Sequence, residues 1–306
     1  MIQSHRLGQP RTVRAKSRLR RSWLPYVLVA PLVIVVGGLV FYPTVATSVE
    51  AFFYSDPLLS GQGFAGLSNF RTALSDPLTQ TSLVNTALYG FVGVTGSTLL
   101  GIAFAFAMRN SFRFRGLLLA IVVLPWALPP VAEAVIWSWI FDPTFGVLNS
   151  LLKSAHIIGA YHVWVGLDRI TSVILIELVQ IWQLTPLSTL IILASLQTIP
   201  KELYEAAQLD GAGDWSSFRR VTLPLIRPGI AIAAVQALVL SLNVFDQVYV
   251  LNFNAPTASS ATLAIYADAF QNLNFGEGYA LSLLLTVATV ILALGVLGLV
   301  YRHVEY

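Results

Sequence analysis

Amide and carboxyl side chains inside long apolar segments are the residues of this chain best suited to chemistry. In the segment 229–251, Gln236, Asn243 and Gln247 are spaced i, i+7 and i+11. On one continuous helix, at about 100° per residue, these three positions fall within roughly 40° of arc, with Asp246 about 80° from Gln236 at the margin. Polar groups in apolar surroundings usually face a bundle interior or a watery cavity. The spacing therefore predicts one polar stripe that faces a cavity.

A second polar group lies in the segment 171–196. Glu177, Gln180 and Ser188 share one side of a helix, and Gln183 adds an amide about 60° from Gln180. An amide both donates and accepts hydrogen bonds, as a hydroxyl does, so such side chains suit a polyhydroxylated ligand. The alternative for each of them is a structural hydrogen bond between helices.

Residues for covalent or metal chemistry are scarce. The chain has no Cys, which excludes thiolate chemistry and disulfides. Its four His residues show no H-E-x-x-H spacing, and no G-x-x-x-x-G-K-[ST] loop is present to cradle the phosphates of ATP. We expect no catalytic residue, no metal site and no cofactor in this chain, and we expect that it is not an enzyme.

The apolar segments that carry these residues determine the fold class. Of 306 residues, 56% are hydrophobic, and the 18 Lys and Arg and 15 Asp and Glu are confined to short stretches. A helix needs roughly 20 apolar residues to cross a bilayer. Six windows qualify, and they predict an all-α integral membrane protein with six transmembrane helices: 24–46, 82–108, 116–141, 171–196, 229–251 and 279–301.

Charge placement predicts the orientation in the membrane. Residues 1–23 hold seven Lys and Arg and no acidic residue, so this segment should be a basic cytoplasmic N-terminus. Six crossings over 24–303 return the C-terminus to the cytoplasm and place 15 of the 18 Lys and Arg on that side. A cleaved signal peptide is disfavoured, because the first apolar stretch is too long and contains Pro25, Pro31 and Pro43.

The cytoplasmic loop 197–228 is the longest in this topology, and it reads as two short helices. Pro200 suits a helix start, the Gly211-Ala-Gly213 turn ends the first helix, and Asp214 is placed to cap the second. Pro224 and Pro228 should end the second helix. The apolar side chains of the loop fit either packing against its own bundle or insertion into a groove of a partner.

Particular residues of this loop resemble a known motif. Glu205-Ala206-Ala207, Asp210-Gly211-Ala212 and Leu223-Pro224 resemble the EAA loop of the permeases of type I ABC importers. The resemblance implies a coupling helix that enters a cleft of a cytoplasmic ATPase. The residues we expect to make that contact are Glu205, Ala206, Ala207, Asp210, Gly211 and Trp215.

The resemblance extends over most of the chain and favours the carbohydrate branch of the family, near the maltose-type F subunit. It is carried by Gly66-Leu-Ser-Asn-Phe70, Asn85-Thr86, Leu124-Pro125, Phe245-Asp246 and Ala269-Phe270. Where the family often has Thr-x-Gly-Gly-Pro after the fifth span, this chain has Asn252-Phe-Asn-Ala-Pro256, and it has no large extracytoplasmic insertion. Together with the polar stripe, the resemblance implies a substrate site at Trp126, Gln180, Gln183, Leu184, Asn243, Asp246 and Gln247.

The implied function is ATP-driven import of a carbohydrate across the plasma membrane of a prokaryote. The implied partners are a second homologous permease, two ATPase subunits that bind ATP and Mg, and an extracytoplasmic substrate-binding protein. Glycerol phosphate, a polyamine or a peptide are alternative substrates within the same class. In another class, an ion-driven carrier would use Glu133, Glu177 and Asp246 as ion sites.

Overall fold

The computed structural model describes residues 23–54, 63–252 and 256–301, and these residues are almost entirely helical. The only pairing of extended chain within them is an isolated bridge between Phe53 and Phe64. The α-helices are α1 Leu24–Val36, α2 Tyr42–Glu50, α3 Ser68–Ser75, α4 Pro77–Ala107, α5 Arg115–Val123, α6 Pro130–Ile140, α7 Val147–Ser154, α8 Arg169–Gln197, α9 Lys201–Leu209, α10 Asp214–Ser217, α11 Leu223–Leu242, α12 Asp246–Leu251, α13 Ala261–Tyr266 and α14 Phe275–Val300.

The contacts divide the chain between Ala46 and Thr47. The first unit contains α1 and the beginning of α2, and the second contains the helices from α3 to α14. The predicted basic segment 1–23 lies outside the described residues except for Trp23, and so does Arg302.

Five helical segments are long and apolar enough to cross a membrane. They are Pro25–Glu50, Pro77–Ala107, Arg169–Gln197, Asp214–Leu242 and Phe275–Val300. The pair Arg115–Ala127 and Pro130–Ile140 adds a sixth if its two arms, bent by 98°, form one span. The predicted all-α membrane fold is confirmed, and the predicted third span is bent rather than straight.

The bend in this third segment follows from two consecutive prolines. A residue that precedes proline is forced out of the helical region into extended backbone. Leu128 precedes Pro129, and Pro129 precedes Pro130. Both are extended, with ψ of 139° and 135°, so the chain turns sharply between the 3-10 turn Leu124–Ala127 and α6. Average hydropathy does not detect such a bend, because the apolar composition continues through it.

The continuous helix expected across 229–251 is wrong, and the single polar stripe that it implied is wrong with it. α11 ends at Leu242, and α12 begins at Asp246. At the break, the Val244 carbonyl accepts hydrogen bonds from the hydroxyls of Ser260 and Thr262. Because these hydroxyls replace helical N–H donors, the chain leaves the helix there without an unsatisfied carbonyl.

The second loop helix also differs from the prediction. α10 does not stop before Pro224 but continues through the π-helical turn Phe218–Thr222 into α11. The carbonyl of Arg220, with which the Pro224 ring would clash in a regular helix, lies inside this wider turn. Asp214 is the first residue of α10 rather than its cap, and Gly213 takes the cap position.

The core of the second unit is built from α4, α8 and α11. Gly93 lies against Glu177 and Gly101 against Ser188, so α4 and α8 run parallel. Gly229 at the start of α11 lies against Ser195 near the end of α8, so α11 runs antiparallel to both. Glycines in α4 thus allow close packing with the neighbouring helices.

Candidate coupling surface and substrate path

The two loop helices lie at the end of the bundle where α4 and α8 finish. α9 follows Pro200 directly, and Gly211, with φ of +78°, turns the chain toward α10. A side chain rarely adopts a positive φ, so glycine is the residue that permits this turn without strain. The prediction of two short helices separated by a glycine turn holds at this end of the loop.

The residues of the expected coupling contact form one exposed surface. Trp215 is 72% exposed, and Leu209, which the sequence reasoning did not select, is 90% exposed. Ala207 is half-buried, while the exposed members of the predicted set are Glu205, Ala206, Asp210, Gly211 and Trp215. Large apolar side chains exposed beside charged ones are typical of a docking site for another protein.

Three contacts tie this surface to the membrane helices. The guanidinium of Arg109, just after α4, lies 4.3 Å from the centre of the Tyr204 ring. The Tyr204 hydroxyl is 3.0 Å from the hydroxyl of Thr222. The Phe218 ring is 5.4 Å from the Phe106 ring in α4. Sequence reasoning missed these tethers, although aromatic residues in a charged loop were the available signal.

The predicted substrate residues include one pair that the structure brings together across two helices. The Gln247 side-chain amide donates a hydrogen bond of 2.9 Å to the side-chain oxygen of Gln183. Gln247 is 4% exposed, and Gln183 is half-buried. Joined amides of this kind retain free donors and acceptors that match the hydroxyls of a polyol.

Two other predicted amides bond to the backbone instead. The Gln180 amide donates to the carbonyl of Leu240 at 3.1 Å, which links α8 to α11, and its side-chain oxygen has no partner among the described residues. The Asn243 amide donates to the Val239 carbonyl at 2.8 Å and is exposed. Asp246 is half-buried at the start of α12.

The remaining predicted residues are apolar. Trp126 is 48% exposed on the 3-10 turn Leu124–Ala127, and Leu184 is 6% exposed in α8. A cavity of about 600 Å³, lined by Trp137, Glu177 and Trp182 among others, contains none of the seven predicted substrate residues. Of the predicted substrate residues, only Gln183 and Gln247 are joined directly by a hydrogen bond, and this cavity does not contain them.

Two buried carboxyl groups are those that the sequence analysis gave to the alternative of an ion-driven carrier. Glu133 is fully buried and faces Gln247, yet neither of its oxygens has a hydrogen-bond partner among the described residues. Glu177 is 1% exposed, and its carboxyl group also lacks a partner within the described residues. Glu133 lies beside the amide pair, whereas Glu177 sits over Gly93 in the helix core.

The amino-acid sequence of this chain is similar to those of known transport proteins. The family described as binding-protein-dependent transport system inner membrane component matches residues 97–305. The chain is 33% identical to the trehalose/maltose transport system permease protein MalF of Thermococcus litoralis, over 88% of this chain and 91% of that protein. It is also 33% identical to the sulfoquinovosyl glycerol transport system permease protein SmoG of Agrobacterium fabrum, over 84% of each chain.

Among solved structures, a chain of the bacterial ABC transporter that imports the acidic polysaccharide alginate has the same fold. The TM-score is 0.78 at 22% sequence identity, over 93% of this chain and 97% of that chain. The family match covers the loop that carries Glu205-Ala206-Ala207, together with the end of α4, all of α8 and all of α11. The chain therefore belongs to the family of binding-protein-dependent transport inner membrane components, the membrane-spanning, non-catalytic permease subunits of ABC importers.

Proposed function

We propose that this chain translocates a carbohydrate for an ATP-driven importer, and that the loop Pro200–Thr222 couples it to the ATPase. It would act with a second permease, two ATPase subunits and an extracytoplasmic binding protein. The observation that carries the proposal is the exposed surface around Glu205 and Trp215, which is tethered to α4 and continuous with α11.

The continuity of α10 with α11 supports the use of this loop as a lever. The helical segment Asp214–Leu242 has 29 residues. At 1.5 Å per residue it spans roughly 40 Å, about the thickness of a bilayer with its headgroups. Near its far end, the carbonyl of Leu240 accepts the hydrogen bond from Gln180. A displacement at Trp215 would therefore pass along one continuous helical segment to the neighbourhood of the predicted substrate residues.

The tethers explain why the loop would transmit force rather than bend. The Arg109–Tyr204 and Tyr204–Thr222 contacts fix α9 to α4 and to the π-helical turn, and the Phe106–Phe218 contact fixes that turn to α4. ATP shifts a conformational equilibrium only by its different affinity for two states. A loop held rigidly against two membrane helices lets closure of the ATPase pair change the energies of both.

Two of the similar proteins support a polyhydroxylated substrate, since one is named for trehalose and maltose and the other for sulfoquinovosyl glycerol. The Gln183–Gln247 pair has the donors and acceptors that hydroxyl groups require. We further propose that the coupling loop faces the cytoplasm, where ATP is, and that the ends of the chain lie on the same side. The placement of Lys and Arg supports this orientation.

The proposal is tested by transport in proteoliposomes that contain the whole importer with ATP inside. We expect uptake of labelled maltose or trehalose that requires ATP and the binding protein. Excess unlabelled disaccharide should compete, whereas glycerol phosphate, spermidine and a dipeptide should not. Stimulation of ATPase activity by one of these three solutes, with none by any sugar, would contradict the carbohydrate assignment.

A further inference from the structure

A polar cavity of about 750 Å³ lies at the end of the bundle opposite the coupling loop. It is bounded by α3, the first turns of α4, the helical segment Ala261–Gln271 and the start of α14. α4 begins at this cavity and ends at Ala107, next to Phe106, whose ring contacts Phe218 of the coupling loop. If the coupling loop faces the cytoplasm, this cavity opens toward the extracytoplasmic side.

Three carboxyl groups from separate elements line the cavity. They are Asp76 before α4, Asp268 in the π-helical turn Ala267–Gln271, and Glu277 in the first turn of α14. None of them forms an ion pair with a Lys, Arg or His in the described part of the chain. Burial raises the pKa of Asp268, the hydrogen bond from Asn272 opposes this shift, and the negative charge of Asp76 adds to it. The cavity thus holds uncompensated negative charge.

Two hydroxyl side chains in the same wall are also without hydrogen-bond partners among the described residues. Ser82 is 1% exposed and Thr79 is 3% exposed, and both line the cavity. Neither side-chain hydroxyl forms a hydrogen bond with another described residue. A hydroxyl both donates and accepts hydrogen bonds, so these two remain available to an incoming group. They are an observation independent of the carboxylates, and they point to a ligand rich in hydrogen-bond donors.

The chemistry of the cavity favours an organic cation over a metal ion. Among the described residues no three His, Asp or Glu side chains are close enough to hold a metal. A guanidinium or ammonium group carries several N–H donors on a long stem, so it can reach carboxylates and hydroxyls that are spread over a wide cavity. The three carboxylates would repel an anionic lipid headgroup.

We propose that this cavity receives a lysine or arginine side chain of the extracytoplasmic binding protein when that protein docks on the permease. This inference rests on the proposed function, because it needs a partner on the side opposite the ATPase. A basic side chain complements the three carboxyl groups of the cavity. The binding protein is the partner that would approach this end of the bundle. Complementary charge would orient the docking and increase its rate.

The experiment uses the whole importer in lipid nanodiscs and measures its dissociation constant for its own binding protein. In the double variant Asp268→Asn, Glu277→Gln we expect binding about tenfold weaker at low salt. The difference should shrink at about 1 M salt, because the Debye length is then only about 3 Å. Asp268→Glu keeps the charge and should bind as the wild type does.

The matched control is Asp142→Asn, which removes one negative charge from the loop between α6 and α7, outside the cavity. Asparagine keeps the side-chain oxygen that accepts from the Thr144 N–H at 2.7 Å, so the local turn is preserved. Equal affinity of the double variant and the wild type at low salt would overturn the inference, and so would a loss that is independent of salt. If the wild-type importer binds no extracytoplasmic protein at all, the proposed function fails as well.

Discussion

The hydrogen bond between Gln183 and Gln247 is the feature at the scale of single residues that best fits a polyol. Each amide comes from a different helix, so the pair exists only when α8 and α12 are correctly placed. Glu133 faces the same pair from α6. A sugar hydroxyl that enters between these groups would find both donors and acceptors.

Replacing either member of this pair should weaken transport. In Gln183→Leu and Gln247→Leu we expect the KM for sugar uptake to rise about tenfold, because each change removes hydrogen bonds to the substrate worth roughly 1.4 kcal/mol. The double variant should be less impaired than the product of the two single effects, because the two side chains act as one unit. The measurement is initial uptake by reconstituted transporter over a range of sugar concentrations.

Gln197→Leu is the control for this series. It makes the same chemical change on the same helix, at the exposed end of α8 beside the coupling loop. It should leave the KM unchanged. Normal uptake by both Gln183→Leu and Gln247→Leu would show that the substrate does not pass this pair.

At the scale of elements, the turn between α9 and α10 determines how the coupling surface is presented. Gly211 has φ of +78° and open space around the position of a Cβ atom. Gly213, two residues later, has φ of −74° and equally open space. The two positions therefore differ in backbone conformation but not in the space available to a side chain. The same substitution at both distinguishes the effect of backbone strain from that of steric crowding.

Gly211→Val should uncouple ATP hydrolysis from transport. A β-branched residue in the left-handed region costs about 1–2 kcal/mol, and the turn can avoid that cost by changing its direction. We expect uptake to fall at least about tenfold while the assembled transporter still hydrolyses ATP. Uptake and ATPase rate are measured on the same proteoliposomes.

Gly213→Val has the same added side chain without the positive φ, and it should keep near wild-type coupling. Gly211→Asn should retain part of the activity, because asparagine tolerates left-handed backbone. Loss of coupling in Gly213→Val to the same degree as in Gly211→Val would mean that bulk on the docking surface, rather than the turn, is decisive.

At the scale of the whole molecule, the second unit depends on close contact between parallel helices. A Cβ atom at Gly101 would lie 2.7 Å from the Ser188 Cβ and 3.1 Å from the backbone nitrogen of Thr189. The backbone of α8 has no flexible end with which to relieve this contact. At Gly295 in α14, by contrast, a Cβ atom would meet no atom within 4 Å.

Gly101→Ala should therefore destabilise the protein by about 1–3 kcal/mol, as overpacking of a tight core does. Gly295→Ala makes the same substitution in an open helical site and should be neutral or slightly stabilising, since alanine is the better helix former. Thermal unfolding of the purified protein in detergent checks both. A melting temperature for Gly101→Ala equal to that of the wild type would contradict the parallel packing of α4 and α8.

Several features could be read from residue types and local spacing alone. Glu205-Ala206-Ala207 and Gly211 indicated the family and the coupling surface, because their roles depend on a short segment whose helix and turn are encoded locally. The apolar windows predicted the membrane helices, because the cost of an unsatisfied backbone in lipid leaves few alternatives.

Other features were decided only by contacts between distant parts of the chain. Gln236, Asn243 and Gln247 do not form one stripe because the helix breaks between Leu242 and Asp246. At this break the Val244 carbonyl accepts hydrogen bonds from the hydroxyls of Ser260 and Thr262. The tethers of the coupling loop join Arg109 and Phe106 to residues about a hundred positions later. Sequence by itself predicted the apolar membrane segments and the loop that we propose meets the ATPase, since hydropathy and backbone preference act over a few residues. Where the helices break and which polar side chains meet was decided by the tertiary structure, because hydrogen bonds form between whichever groups the packing brings within reach.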